Sequence, residues 1–209
     1  MEAEGAAVSP GTSGKKYIIF AGINGSGKTA LYGILKDTVE LGRRISIDDI
    51  AAKLGDWKDN LVQIKAARQA MKELSECIDS GQTFHQETTL PGQAIVKFAR
   101  KAKGEGFRVI LYYIGIEELD IAKERVRKRV QAGGHGIDER VMEKRYAEMK
   151  QFLIPLISEC DEIYFYDNTF RFRQVALVRG GHVEDADTDI PGWFSELDIP
   201  FFSKQQKQE

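Results

Sequence analysis

Cysteine and histidine are both scarce in this sequence. The two cysteines, Cys77 and Cys160, lie far apart along the chain and show no metal-ligand spacing. Both lie in apolar stretches, so we expect buried, reduced thiols. Of the three histidines, His85 and His182 are isolated. The sequence therefore contains no pattern of cysteine and histidine that indicates a metal cluster.

The sequence also lacks a long apolar run and a large surplus of charge of one sign. Its longest apolar run, at 109–116, is too short to span a bilayer, and residues 1–14 lack the apolar core of a secretory signal. The formal net charge is −2, which provides no basic field for general binding to nucleic acid or anionic membranes. These absences predict a cytoplasmic protein without membrane contact, and they do not favour nucleic acid as a partner.

The length and composition are those of one globular domain. The chain has 209 residues, of which 42% are hydrophobic and 30% are charged. Residues 1–14 are mainly small, with two glutamates, and we expect a disordered tail there. Residues 203–209 form a second, polar tail, which leaves 15–202 for a single folded domain.

The strongest motif is the stretch GINGSGKT at 22–29, which matches G-x-x-x-x-G-K-[ST], the phosphate-binding loop. An apolar run at 16–21 precedes it and predicts a buried strand, and apolar residues at helical spacing follow it at 30–36. Strand, loop and helix are the context that this motif requires. The other interpretation, a glycine-rich turn with a chance lysine, does not explain why all four fixed positions are filled.

The residue types of this loop suit a nucleoside triphosphate. Gly25 and Gly27 have no Cβ, so the backbone can curl and point its N–H groups inward at the start of a helix, where an anion is favoured. Lys28 adds a positive charge for the β- and γ-phosphates, and Thr29 offers a hydroxyl to Mg²⁺. We therefore predict that ATP or GTP binds with Mg²⁺ at Asn24, Gly25, Ser26, Gly27, Lys28 and Thr29.

The rest of the chain alternates between strand and helix patterns. Strands are predicted at 16–21, 44–47, 83–86, 107–116, 162–166 and 172–178. Helices are predicted from the loop to about 41, at 58–80, 91–103 and 117–131, from 138 onwards, and at 191–197. This alternation predicts an α/β fold, a doubly wound and mostly parallel sheet of about five to six strands with helices on both faces. Because such sheets bind ligands beyond the carboxyl ends of their strands, we expect Lys28, Asp48, Glu87 and Asn168 to meet there.

Acidic residues follow two of these strands. Asp48 and Asp49 end the second strand, where one carboxylate can take the proton of an acceptor hydroxyl while the other caps the next helix; the sequence leaves open which does which. Glu87 follows the third strand and is placed either to reach Mg²⁺ through water or to bind substrate hydroxyls. Thr88 and Thr89 either contact the substrate or cap the following helix.

A basic segment at 125–145 contains a glycine pair at 133–134 between two helices. This arrangement predicts a lid, with Arg129 and Arg145 placed to neutralise charge on a transferring phosphoryl group, as an arginine finger does. The alternative is a solvated basic face balanced by nearby acids. His135, in the glycine turn, either touches phosphate or is structural.

These residues together resemble the zeta toxin family of P-loop kinases. The similarity extends over about 17–169, most of the chain. Beyond the loop at 22–29, it depends on the strings SIDDIA at 46–51, FHQETTL at 84–90, ERVRKRVQAGGH at 124–135, KRY at 144–146 and YDN at 166–168. The combination is far more specific than the phosphate loop alone.

The resemblance implies a phosphotransferase with an alcohol acceptor that uses ATP or GTP and Mg²⁺. In this family the acceptor is the 3′-hydroxyl of the sugar of UDP-N-acetylglucosamine, and an antitoxin protein is a possible partner. By position, Asp48 resembles the general base, Lys28 the phosphate-loop lysine and Glu87 the substrate-binding acid. Arg129 and Arg145 resemble the lid arginines that clamp the phosphates, and Asn168 lies where a loop contacts the base.

The acceptor is left open by the sequence. The helix predicted at 58–80 is where an acceptor pocket is expected, and it shows no recognisable signature. The family's His-Pro pair is absent after Asp48, and Asp138 stands where many relatives have proline. A nucleoside, an antibiotic or a polynucleotide end are alternative acceptors, and a nucleotide-binding regulator without catalysis is the alternative to a kinase.

Overall fold

A computed structural model describes residues 14–56, 58–197 and 199 of the chain. The tail predicted at 203–209, and all but the last residue of the tail predicted at 1–14, lie outside the described residues. The strands of the described part are β1 (Lys16–Ala21), β2 (Arg43–Ile45), β3 (Phe84–Thr88), β4 (Arg108–Gly115), β5 (Glu162–Asp167), β6 (Arg173–Arg179) and β7 (His182–Ala186). The helices are α1 (Lys28–Leu35), α2 (Ile47–Leu54), α3 (Asn60–Ser80), α4 (Ala94–Gly104), α5 (Leu119–Gln131), α6 (Glu139–Ile157) and α7 (Gly192–Ser195).

The strands form one sheet in the order β2-β3-β1-β4-β5-β6-β7. The pairings from β2 through β5 are parallel, and β6 and β7 are added antiparallel at one edge. This confirms the predicted α/β class with a mostly parallel sheet. The sheet has seven strands rather than five to six, because β7 was not predicted. Most residues of β7 are exposed, so the strand lacks the apolar pattern that reveals the others.

Strand β1 lies inside the sheet and is buried on both faces. Tyr17 and Ile19 belong to the larger core, which the sheet shares with α3, α4 and α6. Ile18 and Phe20 face the other way, into a smaller core with α1. This alternation, with period two, explains why β1 reads as a continuous apolar run, and it places helices on both faces of the sheet.

The capping roles considered for the aspartate pair and the threonine pair are not found in the structure. Ser46 caps α2, since its Oγ accepts a hydrogen bond of 3.2 Å from the backbone N–H of Asp49. The two aspartates therefore lie inside the first turn of α2 and neither caps it. Helix α4 begins only at Ala94, so Thr88 is too far upstream to cap it; its Oγ1 accepts from Leu90 N at 3.0 Å and shapes the turn instead.

Other boundaries differ for local reasons. Helix α1 ends at Leu35 rather than near residue 41, and the β-branched Thr38 and Val39 that follow have low helix propensity. Helix α6 begins as predicted, with the carboxylate of Asp138 accepting from Arg140 N at 2.8 Å. Within the described ranges, no helix is both long enough and apolar enough to cross a membrane.

Candidate active site

The phosphate loop joins β1 to α1 at the carboxyl edge of the sheet. Lys28 begins α1, and its Nζ donates to the backbone oxygens of Gly22 at 2.8 Å and Ile23 at 2.9 Å, which curls the loop around the ammonium group. Gly27 has a φ of 105°, and a Cβ there would lie 2.5 Å from Nδ2 of Asn168. Only glycine therefore fits at this position, and the loop presents its amides and the start of α1 to the solvent side.

A cavity of about 540 Å³ opens above this loop. Of the residues predicted for the site, it is lined by Asn24, Gly25, Gly27, Lys28, Thr29, Asp48, Glu87, Thr88, Thr89, Arg129 and Arg145. The two predicted residues that do not line it are Ser26, which is fully buried, and Asn168, which lies behind the loop. The fold thus brings together side chains from four separate segments of the chain.

Lys28 is a partly buried cation of the cavity, and its pKa is strongly lowered. Burial lowers its pKa to about 8, a shift that the carboxylates of Glu87 and Asp48 oppose and that the guanidinium groups of Arg129 and Arg145 increase. A bound polyphosphate would bring negative charge to these three cations. The electrostatics of the cavity therefore suit an anion of high charge.

Asp48 and Asp49 both line the cavity but have different partners. Asp49 is tied to Arg44, with its Oδ2 3.2 Å from the guanidinium Nε. Asp48 instead faces the turn between α5 and α6, with its Oδ2 3.4 Å from Nε2 of His135. Its charge also opposes the lowering of the Arg145 pKa. Of the two carboxylates, Asp48 is the one that forms no ion pair with an arginine among the described residues.

Glu87 connects the second strand to the phosphate loop. Its Oε1 lies 3.0 Å from Nη2 of Arg44, and its Oε2 accepts from Oγ1 of Thr29 at 3.3 Å. A hydroxyl and a carboxylate are the oxygen ligands that Mg²⁺ prefers, directly or through water. In the part of the chain that the structure describes, no group of three or more His, Cys, Asp or Glu side chains could hold a metal. A magnesium ion here would take its remaining ligands from phosphate and water.

Arg129 and Arg145, the arginines predicted to belong to a lid, line the cavity from α5 and α6. Arg145 Nη1 donates to Oδ1 of Asn24 at 3.0 Å, and burial lowers its pKa. Arg129 Nε donates to the backbone oxygen of His135 at 2.9 Å, which holds the glycine turn against α5. Nη2 of Arg129 is buried and has no hydrogen-bond partner among the described residues. A buried donor left unpaired costs about 1–3 kcal/mol, so this nitrogen suits an anionic ligand.

Two arginines of the site were not singled out by the sequence. Arg44 bridges Glu87 and Asp49, and Arg125 donates to the backbone oxygens of Asn168 at 2.8 Å and Thr169 at 3.0 Å. No signal within either segment could have found these roles, because Glu87 lies 43 residues from Arg44 in sequence and Asn168 lies 43 residues from Arg125.

Asn168 lies behind the phosphate loop rather than inside the cavity. Its Nδ2 donates to the backbone oxygen of Ser26 at 2.8 Å, so the side chain supports the loop. Its contact with a nucleotide base stays a prediction.

Comparison with known proteins gives one sequence relative and several similar folds. No family model matches the chain. An uncharacterized protein of Haemophilus influenzae is 37% identical over 131 residues, which are 63% of this chain and 92% of that protein. At this identity and coverage the two proteins share a common fold and ancestry.

Two solved complexes resemble the fold at lower identity. The PezAT chromosomal toxin–antitoxin system of Streptococcus pneumoniae matches at 14% identity over 94% of this chain and 88% of that chain, with a TM-score of 0.61. The AvrRxo1-ORF1:AvrRxo1-ORF2 structure with sulphate ions matches at 15% identity over 90% of this chain and 64% of that chain, with a TM-score of 0.69. The same complex with ATP matches at 16% identity, over 90% and 63% of the two chains, with a TM-score of 0.63.

Proposed function

Because the chain belongs to one family with the uncharacterized Haemophilus influenzae protein and has a zeta toxin-like P-loop kinase fold, we propose that it is a kinase. It transfers the γ-phosphoryl group of ATP or GTP to a hydroxyl of a small molecule. The observation that carries this proposal is that Lys28, Asp48, Arg129 and Arg145 line one cavity above the phosphate loop.

In this mechanism the phosphate loop and Lys28 bind the β- and γ-phosphates of the nucleotide. Thr29, with Glu87 acting directly or through water, would hold Mg²⁺, which supplies positive charge to the phosphate oxygens when it is bound. The similar fold in the AvrRxo1 complex with ATP supports nucleotide binding at such a site.

Asp48 acts as the general base. The oxygen of the acceptor hydroxyl forms a bond to the γ-phosphorus while the bond to the bridging β–γ oxygen breaks, and the nucleoside diphosphate leaves. The proton of the hydroxyl passes to the Asp48 carboxylate and then to solvent. Arg129 and Arg145 stabilise the charge on the transferring group, and closure of the lid around 125–145 excludes water.

The proposal extends to a partner and leaves the acceptor to be identified. UDP-N-acetylglucosamine is the reference acceptor to test, because the zeta toxin resemblance implies it. A protein partner of the antitoxin kind is proposed because the similar folds come from a toxin–antitoxin system and from a two-protein complex. A cytoplasmic location is consistent with both.

Labelled ATP, Mg²⁺ and a cell metabolite extract, followed by mass spectrometry of the products, test the proposal. We expect the wild-type protein to phosphorylate one or a few metabolites. The Lys28→Ala variant should abolish the product, because it removes the cation that binds the β- and γ-phosphates. If the wild-type protein binds ATP tightly and no metabolite gains phosphate, the protein is a nucleotide-binding regulator instead. A labelled polynucleotide end would identify a nucleic-acid acceptor.

A further inference from the structure

A second cavity, which we call the side cavity, adjoins the phosphate cavity between α3 and α4. It has a volume of about 190 Å³. Four residues line both cavities, so the two adjoin: Ile47, Glu87, Thr88 and Pro91. Ile47 directly precedes Asp48, the proposed base. The side cavity therefore borders the phosphate cavity, which the Asp48 carboxylate lines, at the residue before the proposed base.

The walls of the side cavity are mostly apolar. Beyond the shared residues they consist of Gly92, Gln86 and the apolar side chains Ile45, Ala67, Ala70, Met71, Leu74, Ala94, Ile95 and Phe98. Among the described residues that line it, Glu87 alone is charged, and it is acidic. The neighbouring cation, Arg44, already lies within 3.2 Å of Asp49 and 3.0 Å of Glu87. Such a lining favours an uncharged apolar group and disfavours a diphosphate.

Beyond the residues shared with the phosphate cavity, the polar side chain of Gln86 interrupts this apolar lining. Gln86 is 8% exposed, and its Oε1 is buried without a hydrogen-bond partner among the described residues. It lies on β3 between Phe84 and Thr88, on the strand face that packs towards α3 and α4, whereas His85 faces α1 and stacks on Tyr32. An unpaired buried carbonyl costs about 1–3 kcal/mol, which a ligand donor in the cavity would recover.

We propose that the side cavity binds the body of the acceptor, and that the acceptor is an alcohol carrying an uncharged apolar group and one N–H or O–H donor for Gln86. The inference depends on the kinase function proposed above, since it assigns the acceptor of that same reaction. The apolar group lies between α3 and α4, the donor bonds to Gln86 Oε1, and the reacting hydroxyl points past Ile47 to Asp48. This acceptor class differs from UDP-N-acetylglucosamine, which carries a diphosphate.

A partitioned extract tests this acceptor class directly. A cell extract is divided between butanol and water, and each fraction, along with pure UDP-N-acetylglucosamine, is incubated with the protein, Mg²⁺ and labelled ATP. We expect a butanol-soluble compound to gain phosphate. Phosphate transfer to UDP-N-acetylglucosamine, or to another anionic compound of the water fraction only, would overturn the acceptor class and leave the kinase function standing. If neither fraction gains phosphate, the kinase proposal fails and this inference fails with it.

Variants of the side cavity provide the second test. Gln86→Leu keeps the shape of the side chain but removes the acceptor oxygen, and Ala67→Leu fills the cavity from α3. Each should lower kcat/KM for the butanol-soluble acceptor about tenfold, while the affinity for ATP stays at the wild-type value. Lys65→Leu, which adds the same side chain at an exposed position of α3 outside the cavity, should change neither. Equal kcat/KM in Ala67→Leu and Lys65→Leu would overturn the proposal even if Gln86→Leu fails to fold.

Discussion

Two adjacent aspartates in the first turn of α2 have the same side chain but different surroundings. Asp49 is paired with Arg44, which lies 3.2 Å from one of its carboxylate oxygens. Asp48 forms no ion pair with a described arginine and faces His135 of the glycine turn. A general base needs a free carboxylate within reach of the acceptor hydroxyl, so the surroundings favour Asp48 for this role.

Replacement of each aspartate should separate their roles. Asp48→Asn should lower the rate of phosphoryl transfer about 10²- to 10⁴-fold, the usual contribution of a general base, and leave the affinity for ATP close to wild type. Asp49→Asn, the matched control, should retain most of the activity. Steady-state kinetics and ATP titration measure both effects. If Asp49→Asn loses the activity and Asp48→Asn keeps it, the assignment of the two residues is reversed.

The lowered pKa of Lys28 predicts how nucleotide affinity depends on pH. Without nucleotide the pKa is about 8, and bound phosphates should raise it, so ATP binding takes up a proton when the pH is above 8. The affinity should therefore decrease as the pH rises from about 7 to about 10. Calorimetry in buffers of different ionisation enthalpy measures the proton uptake, and Lys28→Met should abolish it. Uptake that persists in Lys28→Met would assign the titration to another group.

In the protein without nucleotide, the effect of Lys28 on stability has the opposite pH dependence to its effect on nucleotide affinity. Its pKa is about 8 in the folded state, below the ordinary lysine value of 10.5 that represents the unfolded chain. Between these values the unfolded chain binds more protons, so the contribution of Lys28 to the free energy of unfolding increases with pH. Its ammonium group is thus a charge that destabilises the fold and that serves anion binding.

Helices α5 and α6 form a pair whose connecting turn lies over the cavity. The turn is held at two points, by Arg129 to the backbone of His135 and by His135 to Asp48. Gly133 has a φ of 86°, a conformation that favours glycine and lets the chain reverse directly after α5. The pair therefore presents Arg129 and Arg145 to the cavity above the phosphate loop.

The contribution of α6 to transfer can be tested at Arg145. Arg145→Gln removes the guanidinium that bonds to Asn24, and the rate of transfer should decrease about 10²- to 10³-fold, as for other lost donors to a developing negative charge. Arg140→Gln changes an exposed arginine of the same helix that does not line the cavity, and it should have little effect. Single-turnover measurements distinguish this loss from slow product release. Equal rates in the two variants would show that Arg145 does not stabilise the transition state.

At the scale of the whole molecule, the short helix α7 packs against the carboxyl ends of β4 and β5. The ring of Trp193 lies against Gly115, where a Cβ would come within 2.3 Å of it. Its Nε1 donates to the buried carboxylate of Asp167 at 2.9 Å, and the hydroxyl of Thr169 donates to the same oxygen at 2.6 Å. These contacts hold the segment that carries Asn168, and so they support the phosphate loop from behind.

The stability of the whole domain should depend on the hydrogen bond from Trp193 to Asp167. Trp193→Phe keeps an aromatic ring but leaves Asp167 without its indole donor, so the free energy of unfolding should decrease by about 1–3 kcal/mol. Phe170→Leu, at a position that is 94% exposed, should change it by less than about 0.5 kcal/mol. Urea denaturation measures both. A Trp193→Phe variant as stable as wild type would show that the bond to Asp167 contributes nothing net.

Much of the architecture was predictable, and the failures have physical causes. The buried strands β1 and β4 contain no charged residue after the first, and their boundaries were predicted to within one residue. Strand β7 was not predicted, because an exposed edge strand needs no apolar pattern. The capping roles considered for Asp48, Asp49, Thr88 and Thr89 are not found, because the backbone path decides which side chain reaches the first N–H groups. Ser46 caps α2, and no described side chain caps α4.

The sequence by itself determined the phosphate loop, the strand before it, the helix after it and the α/β class. Those features depend on hydrogen bonds and glycine conformations within a few residues, so the local pattern is sufficient for them. Only the tertiary structure decided that Asp49 pairs with Arg44 while Asp48 does not, that Arg125 supports Asn168, and that an apolar cavity adjoins the phosphate cavity. These features depend on how helices distant in the chain pack over one edge of the sheet, and no local pattern records that packing.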